Sequence, residues 1–222
     1  MEQMDFCPKL AAMAVDYNIK LSDKQLQELT CFYDLLYARI HNWSADIMAG
    51  TMIDCLSCYD PNTFPVGCRV IDIASGPGFP GIPLKILWPD IKLCMLDASE
   101  GRLSFRQEVV ERLNLADVTN LHCRVEDAAI LPEHHGQYQL SMSRGLSYSL
   151  QRLVELGLQF VETGGHYIEF EVERRHEMEG VAEKVAAVGG ELVKVKEQDL
   201  EGRIFVYAKK VREMPLTSVT AE

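Results

Sequence analysis

Long hydrophobic runs are missing from this sequence of 222 residues. No apolar run approaches the roughly 20 residues that a membrane-spanning helix needs, so a membrane protein of that kind is excluded. Residues 1–20 lack a cationic start before an apolar block and do not predict a secretory signal peptide. Internal repeats and low-complexity tracts are also absent. Apolar residues at 47% and charged residues at 25% indicate an ordinary globular chain.

Positive charge is scarce. The chain has 22 Lys and Arg against 33 Asp and Glu, which gives a formal net charge of −11. Such a chain repels phosphate backbones at long range, so a broad nucleic-acid binder and a DNA partner are disfavoured. A local basic patch is still sufficient to bind one RNA target.

Cysteine is absent after Cys123, and the seven cysteines form an odd number. Without a secretory signal they predict reduced thiols in a cytoplasm. Cys55 and Cys58 form a CxxC pair, but no second pair stands at the spacing of zinc ligands. We therefore predict no metal site. Disulfide redox chemistry is an alternative, and packing of two small apolar residues on one helix turn is favoured over it.

The first 60 residues predict helices. Ser22 and Gln25 have the spacing of a capping box, in which Ser is the N-cap and Gln follows three residues later. Behind them Leu26, Leu29, Phe32, Tyr33, Leu36 and Ile40 recur at helical spacing. A second, shorter helix is predicted over Ala49–Tyr59. We expect residues 1–66 to form a helical cap.

From residue 67 onward, strands alternate with helices. Strands are predicted at Val70–Ala74, Ile91–Leu96, Val118–Cys123, Tyr138–Met142, His166–Phe170, Glu191–Lys196 and Arg203–Lys209. Helices are predicted at Ile82–Leu87, Ser99–Leu113, Ser147–Phe160 and Arg174–Val188, with Gly164-Gly165 and Gly189-Gly190 ending the last two. The alternation predicts an α/β, doubly wound, mostly parallel seven-stranded sheet over residues 67–222, as one compact unit. A final antiparallel hairpin is typical of the S-adenosylmethionine-dependent methyltransferase version of that fold.

The segment from Val70 to Pro83 carries the strongest functional signal. A strand ends there in a glycine-rich turn, and a helix follows, which is where open α/β sheets bind ligands. Asp97 ends the next strand 21 residues after Gly76, in the position of an acid that binds ribose hydroxyls. The pair favours a nucleoside-containing cofactor. NAD is an alternative to S-adenosylmethionine, but the prolines between the glycines remove N–H donors that a pyrophosphate needs.

Two further segments follow predicted strands. Arg124-Val125-Glu126-Asp127 follows the third strand, beside the adenine in methyltransferase folds. Arg144 ends the fourth strand, where its guanidinium can pair with a cofactor carboxylate or contact an electron-rich substrate. A solvated loop and a surface ion pair are the respective alternatives.

These residues resemble a known family. Gly76-Pro77-Gly78-Phe79-Pro80-Gly81-Ile82-Pro83 is similar to the signature of bacterial small-subunit rRNA guanine-N7 methyltransferases, the glucose-inhibited division protein B family. The resemblance continues through Leu96-Asp97-Ala98-Ser99, Arg124-Val125-Glu126, Ser143-Arg144 and Gly202-Arg203. It covers nearly the whole chain and is strongest over residues 69–145.

The resemblance implies a cytoplasmic enzyme that uses S-adenosylmethionine and methylates guanine N7 in small-subunit rRNA or a ribosomal particle. We expect a monomer. No membrane or DNA partner is expected. It places Asn42 and Asp54 near the substrate and gives Arg144 a positioning role in catalysis. The implied cofactor contacts are Ala74, Gly76, Gly78, Phe79, Asp97, Ala98, Ser99, Val125, Glu126 and Arg144.

The chain departs from the family pattern at several positions. Ala74 stands where the family usually has Gly, Thr51 where it has His, and Glu171 where it has Lys, and a basic tail is absent. Two alternatives follow from these departures. One is a methyltransferase of the same fold with a non-RNA acceptor, and the other is a cofactor-binding module without turnover.

Overall fold

A computed structural model describes residues 5–40, 43–60, 63–171, 178–197 and 204–213. Eight helices are described: α1 Phe6–Asp16, α2 Asp23–Tyr37, α3 Ala45–Ser57, α4 Gly81–Leu87, α5 Glu100–Arg112, α6 Val125–Ala129, α7 Leu150–Phe160 and α8 Val181–Ala187. Seven strands are described: β1 Arg69–Ile73, β2 Lys92–Asp97, β3 Val118–His122, β4 Tyr138–Arg144, β5 Val161–Glu171, β6 Gly190–Glu197 and β7 Ile204–Lys210. In the described residues no helix is long and apolar enough to cross a membrane.

The seven strands form one sheet in the order β3-β2-β1-β4-β5-β7-β6. The first five run parallel, and β7 is antiparallel to both of its neighbours. Strand order reverses at β1, because β2 follows on one side of it and β4 on the other. The predicted seven-stranded, mostly parallel sheet with a terminal hairpin is confirmed.

Hydrophobic side chains cover both faces of the sheet. On one face, side chains of α1, α2 and α3 join those of α4, α5 and the sheet in a single buried cluster. On the other face, α6, α7 and α8 build a second cluster. The helices before residue 66 are thus packed directly onto the sheet. The boundary between a cap and a methyltransferase domain at residues 66 and 67 stays a prediction.

The capping box predicted at Ser22 is present. The Gln25 N–H donates to the Ser22 hydroxyl, and the Ser22 N–H donates to Gln25 Oε1 at 2.9 Å. The Gln25 amide also donates to the carbonyls of Ile86 and Leu87, at 3.3 and 3.1 Å. These carbonyls belong to the last turn of α4 and have no partner within their own helix. One glutamine therefore starts α2 and closes the end of α4.

Several predicted boundaries were wrong. The helix expected from Ala49 begins at Ala45, because the Ser44 hydroxyl accepts the Ile47 N–H. Residues 125–129, for which no helix was predicted, form α6. The Gly164-Gly165 pair does not end α7, which stops at Phe160; both glycines lie inside β5.

The two glycines in β5 have a local reason. Gly164 has φ +94°, and a Cβ on Gly165 would lie 2.9 Å from the Gln139 carbonyl oxygen. The register between β4 and β5 shifts at this point. Glycine therefore permits a bulge here rather than a helix end.

Candidate active site

The fold brings three predicted segments to one edge of the sheet. β1 lies between β2 and β4, and all three run in the same direction. Their carboxyl ends are followed by the glycine-rich turn, Asp97 and Arg144, which therefore share one crevice at the point where strand order reverses.

The two glycines of the turn serve different purposes. A Cβ on Gly78, where φ is +115°, would lie 2.3 Å from Ile82 Cδ1, so this glycine permits close packing of the turn on α4. A Cβ on Gly76, where φ is +56°, would meet nothing within 4 Å. The backbone at Gly76 therefore faces open space, which fits a turn that receives a ligand.

Asp97 is almost completely buried and ties the turn to the next helix. Its Oδ2 accepts the Gly76 N–H at 2.9 Å, and its Oδ1 accepts the Ser99 N–H at 2.8 Å. The largely exposed Arg102 guanidinium lies 3.4 Å from Oδ2. A carboxylate offers about four acceptor positions, and these contacts occupy three of them. Asp97 can therefore accept one ribose hydroxyl as it stands, and a second when the exposed Arg102 side chain moves away. The residues present thus fit the nucleoside part of S-adenosylmethionine.

Ala74 adopts an unusual backbone conformation at the start of this turn, with φ +56°. The left-handed region favours glycine because the Cβ of other residues crowds the following carbonyl. Ala74 is half-buried and packs against the apolar cluster under α7. The structure thus accommodates alanine at the position where the family usually has glycine, at a cost in backbone strain.

Replacing Ala74 by glycine is expected to increase the free energy of unfolding by about 1 kcal/mol, because glycine relieves the left-handed strain. Urea unfolding of the two proteins measures the difference. Ala12→Gly is the matched control, since Ala12 is exposed in the middle of α1. That control should lose about 1 kcal/mol instead. A loss of stability in Ala74→Gly would contradict the strain argument.

Below the turn lies Asp72, which has no exposed surface. Its Oδ2 accepts the Gly81 N–H at 2.8 Å, and a Cβ on Gly81 would lie only 2.7 Å from that oxygen. Burial raises the pKa of Asp72 to about 7, against the opposing effects of the Gly81 hydrogen bond and the Arg106 charge.

This raised pKa predicts a pH dependence of stability. The folded protein keeps a proton on Asp72 between about pH 4 and pH 7, where the unfolded chain has lost it. The free energy of unfolding should therefore fall as pH rises through that window, by up to about 4 kcal/mol from this group. Asp72→Asn keeps an acceptor for Gly81 and cannot titrate. Urea unfolding from pH 4 to 8 should show a flatter profile for this variant, and parallel profiles would refute the assignment.

Arg144 and Asp54 were predicted separately, and the structure brings them together. Arg144 Nε lies 3.3 Å from Asp54 Oδ2, with side-chain exposures of 19% and 0%. Asp54 lies on α3 and is 90 residues away in sequence. The Asp54 side chain is fully buried beside this guanidinium. Its expected role near the substrate stays a prediction.

Ser143, beside Arg144, belongs to a buried polar group that the sequence did not indicate. Its hydroxyl lies 2.6 Å from the Tyr167 hydroxyl. Both hydroxyls donate hydrogen bonds to the Glu169 carboxylate. A Cβ on Gly157 of α7 would lie 2.2 Å from the Tyr167 ring. Gly157 therefore leaves the room that this tyrosine occupies.

Val125 and Glu126 open α6 at the other side of the crevice. Glu126 Oε1 accepts the Tyr148 hydroxyl at 2.6 Å, and Arg124 Nε lies 3.8 Å from Oε2. Burial raises the pKa of Glu126, but hydrogen bonds from Tyr148 and the backbone, with the Arg124 charge, outweigh it and leave the pKa below its usual value. Tyr148, in the loop after β4, was not predicted as a site residue.

The remaining candidate residues have varied surroundings. Phe79 is buried, and the centre of its ring lies 5.1 Å from that of Phe32 and 6.2 Å from that of Trp43. These ring contacts are with α2 and with the segment before α3. Ala98 is exposed between β2 and α5. Asn42 lies outside the described residues. For Glu171 the structure describes only the backbone, as the last residue of β5.

Cys55 and Cys58 are buried free thiols. Within the described ranges, no group of three or more His, Cys, Asp and Glu side chains could hold a metal ion. A separate cavity of about 970 Å³ lies between the cap and β6, with Lys20, Tyr59, Trp88 and Lys196 in its wall. None of the described candidate residues lines it.

The fold and this crevice define the class of S-adenosylmethionine-dependent methyltransferases. A crystal structure of a SAM dependent methyltransferase from Aquifex aeolicus matches with a TM-score of 0.51 and 19% identity, over 66% of this chain and 84% of that one. The antibiotic-resistance methyltransferase Kmr matches with a TM-score of 0.53 and 15% identity, over 67% and 90%. At these identities the likeness shows the shared fold.

The chain belongs to the family described as rRNA small subunit methyltransferase G, whose model matches residues 33–205. Ribosomal RNA small subunit methyltransferase G of Acetivibrio thermocellus is 31% identical, over 91% of this chain and 87% of that protein. The protein of the same name from Alkaliphilus metalliredigens is 33% identical, over 82% and 79%. The predicted family, the methyltransferase class and the cofactor S-adenosylmethionine are confirmed.

Proposed function

We propose that this protein transfers the methyl group of S-adenosylmethionine to N7 of a guanine in small-subunit rRNA. The observation that carries the proposal is membership of the methyltransferase G family along most of the chain. The crevice supports it, because the glycine turn, Asp97 and Arg144 meet at the edge of the sheet where this fold class binds its ligands.

The cofactor contacts are proposed as follows. Asp97 accepts the ribose hydroxyls and also accepts the Gly76 and Ser99 N–H groups. The same carboxylate therefore fixes the turn and binds the ribose. Val125 and Glu126 border the adenine. Other contacts are proposed at Ala74, Gly76, Gly78, Phe79, Ala98, Ser99 and Arg144.

The acceptor atom sets what the protein must supply. Guanine N7 has a lone pair and no proton, so attack on the sulfonium methyl group needs no general base. The cofactor supplies an activated methyl group with a neutral thioether as leaving group. The task of the protein is alignment of the three reacting centres. Arg144 suits that task, because its guanidinium is held on one side by Asp54 and is partly exposed on the other.

Arg144 is proposed to contact either the O6 oxygen of guanine or the carboxylate of the cofactor. A donor on N7 would occupy the lone pair that attacks, so O6 is the compatible acceptor on the guanine edge. Asp54 is proposed to act through Arg144 as a positioning residue. Asn42 is proposed as a substrate residue from the family resemblance alone.

We further propose a monomeric, cytoplasmic protein. Its seven cysteines are all free thiols, which supports a reducing compartment. Sedimentation of the purified protein tests the monomer, and fractionation of cells tests the location.

The proposed activity is tested in two stages. Titration calorimetry first measures S-adenosylmethionine binding to the purified protein. Radiolabelled methyl transfer to unmodified small ribosomal subunits then identifies the acceptor, and chain cleavage specific for 7-methylguanosine locates the atom. Label at guanine N7 is the expected result. Binding with no label in rRNA would favour another acceptor, and no binding would favour a fold without turnover.

A further inference from the structure

Arg106 of α5 is an arginine with no exposed surface. The structure buries it between α5 and the sheet. Burying a guanidinium is costly unless its donors find partners. Its hydrogen bonds therefore indicate why it is there.

The first of those bonds reaches the glycine turn. Arg106 Nη1 donates to the Gly76 carbonyl oxygen at 2.8 Å. The Gly76 N–H donates to Asp97 Oδ2. The backbone of Gly76 is therefore held on its donor side by a carboxylate and on its acceptor side by a guanidinium, and both side chains are buried.

The second bond fixes the guanidinium itself. Arg106 Nε donates to Asn120 Oδ1 of β3 at 3.0 Å. The Asn120 amide in turn donates to Gln107 Oε1 at 3.1 Å, and Gln107 donates to Glu111 at 2.9 Å. A chain of hydrogen bonds thus runs from the turn, through the core, to the surface of α5.

The charge of Arg106 is balanced from the same side. Burial lowers the pKa of its guanidinium, and the carboxylate of Asp97, with that of Asp72 when it is ionised, opposes that change. Asp97 and Asp72 also accept the N–H groups of Gly76 and Gly81, at the two ends of the turn. Asp97, Asp72 and Arg106 therefore each make a hydrogen bond to the backbone of this one turn.

We propose that Arg106 is a positioning residue for methyl transfer, which fixes the Gly76 carbonyl so that the turn is preset for the cofactor. The inference rests on the proposed function, in which this turn holds S-adenosylmethionine. It assigns a role to a residue that does not itself touch the reacting atoms. Without Arg106, the turn has to be ordered when the cofactor binds, and that ordering lowers the affinity.

The test compares Arg106→Leu with Arg106→Lys and with Arg112→Leu, an exposed control on the same helix. Arg106→Leu should weaken S-adenosylmethionine binding about tenfold or more in calorimetry. It should also raise the KM for the cofactor while leaving the KM for small ribosomal subunits unchanged. Lysine keeps one donor and should restore part of the affinity, whereas Arg112→Leu should bind as the unsubstituted protein does.

Thermal unfolding separates positioning from a merely structural role. Arg106→Leu leaves the Gly76 carbonyl and Asn120 Oδ1 without this donor, so some fall in the unfolding temperature is expected from either role. A positioning role predicts weaker cofactor binding in protein that is still fully folded at the assay temperature, whereas a merely structural role lowers the unfolding temperature and leaves the affinity of the folded protein unchanged. Normal cofactor affinity in folded Arg106→Leu would overturn the inference. Failure of the unsubstituted protein to bind the cofactor would instead overturn the proposed function.

Asn120→Ala keeps the inference testable if Arg106→Leu does not fold. It removes the bond at Nε and leaves Arg106 in place. A loss of cofactor affinity of about threefold is expected, because the guanidinium loses one of its two fixed contacts. Unchanged affinity in this variant, with Arg106→Leu unfolded, would show that Arg106 serves stability alone.

Discussion

Replacing Arg144 by methionine is expected to lower the rate of methyl transfer by about a hundredfold or more, since alignment is the main catalytic contribution in the proposed reaction. It should also lower the free energy of unfolding by up to about 3–5 kcal/mol, because the fully buried Asp54 carboxyl group then loses its guanidinium partner. Single-turnover kinetics measures the first effect and urea unfolding the second.

A double variant separates the two effects. Asp54→Asn combined with Arg144→Met removes both charges, so most of the stability should return, while transfer should stay as slow as in Arg144→Met. Arg112→Met is the control, because Arg112 is exposed at the end of α5. A normal transfer rate in Arg144→Met would exclude Arg144 from the reaction. A full return of the rate in the double variant would show that the single variant was slow only because Asp54 had lost Arg144.

Replacing Asp97 by alanine is expected to weaken S-adenosylmethionine binding by about a hundredfold or more, because one side chain serves two functions. In the proposed complex it accepts the ribose hydroxyls, and hydrogen bonds to a charged group contribute about 1.5–3 kcal/mol each. In the structure it also accepts the N–H groups of Gly76 and Ser99, so its loss loosens the turn itself.

Titration calorimetry measures this loss, and thermal unfolding shows how much of the protein remains folded. The dissociation constant of Asp97→Asn should lie between those of the unsubstituted protein and Asp97→Ala. Asparagine keeps one acceptor oxygen and replaces the other with a donor. Asp90→Ala is the control, as Asp90 is exposed at the opposite end of β2. An unchanged dissociation constant in folded Asp97→Ala would remove Asp97 from the cofactor site.

Local patterns predicted most of the fold. The four parallel strands from β1 to β4 and the capping box of α2 are encoded by neighbouring residues, because period and capping depend on short spacings. The Gly164-Gly165 pair misled for the same reason. A glycine pair after a helix has the same local appearance whether it caps the helix or permits a bulge, and only the pairing of β4 with β5 distinguishes the two.

The candidate site was predicted in part. Where a glycine turn or an acid follows a strand, sequence position fixes its place at the edge of a parallel sheet, so the sequence placed the turn, Asp97 and Arg144 at one edge. It did not single out Arg106 or Tyr148. A lone arginine on an amphipathic helix usually lies in solvent, and a tyrosine in a loop has no periodicity that indicates a partner.

The sequence by itself determined the alternation of strands and helices, the turn at Gly76 and the acid at Asp97, because each depends on residues close along the chain. Only the tertiary structure decided which charges are buried and with what partners. Asp54 meets Arg144, and Arg106 meets Gly76, through contacts between distant segments. The free energy of a charged group depends on the groups that surround it after folding, and the packing of the cap and α5 onto the sheet sets those surroundings.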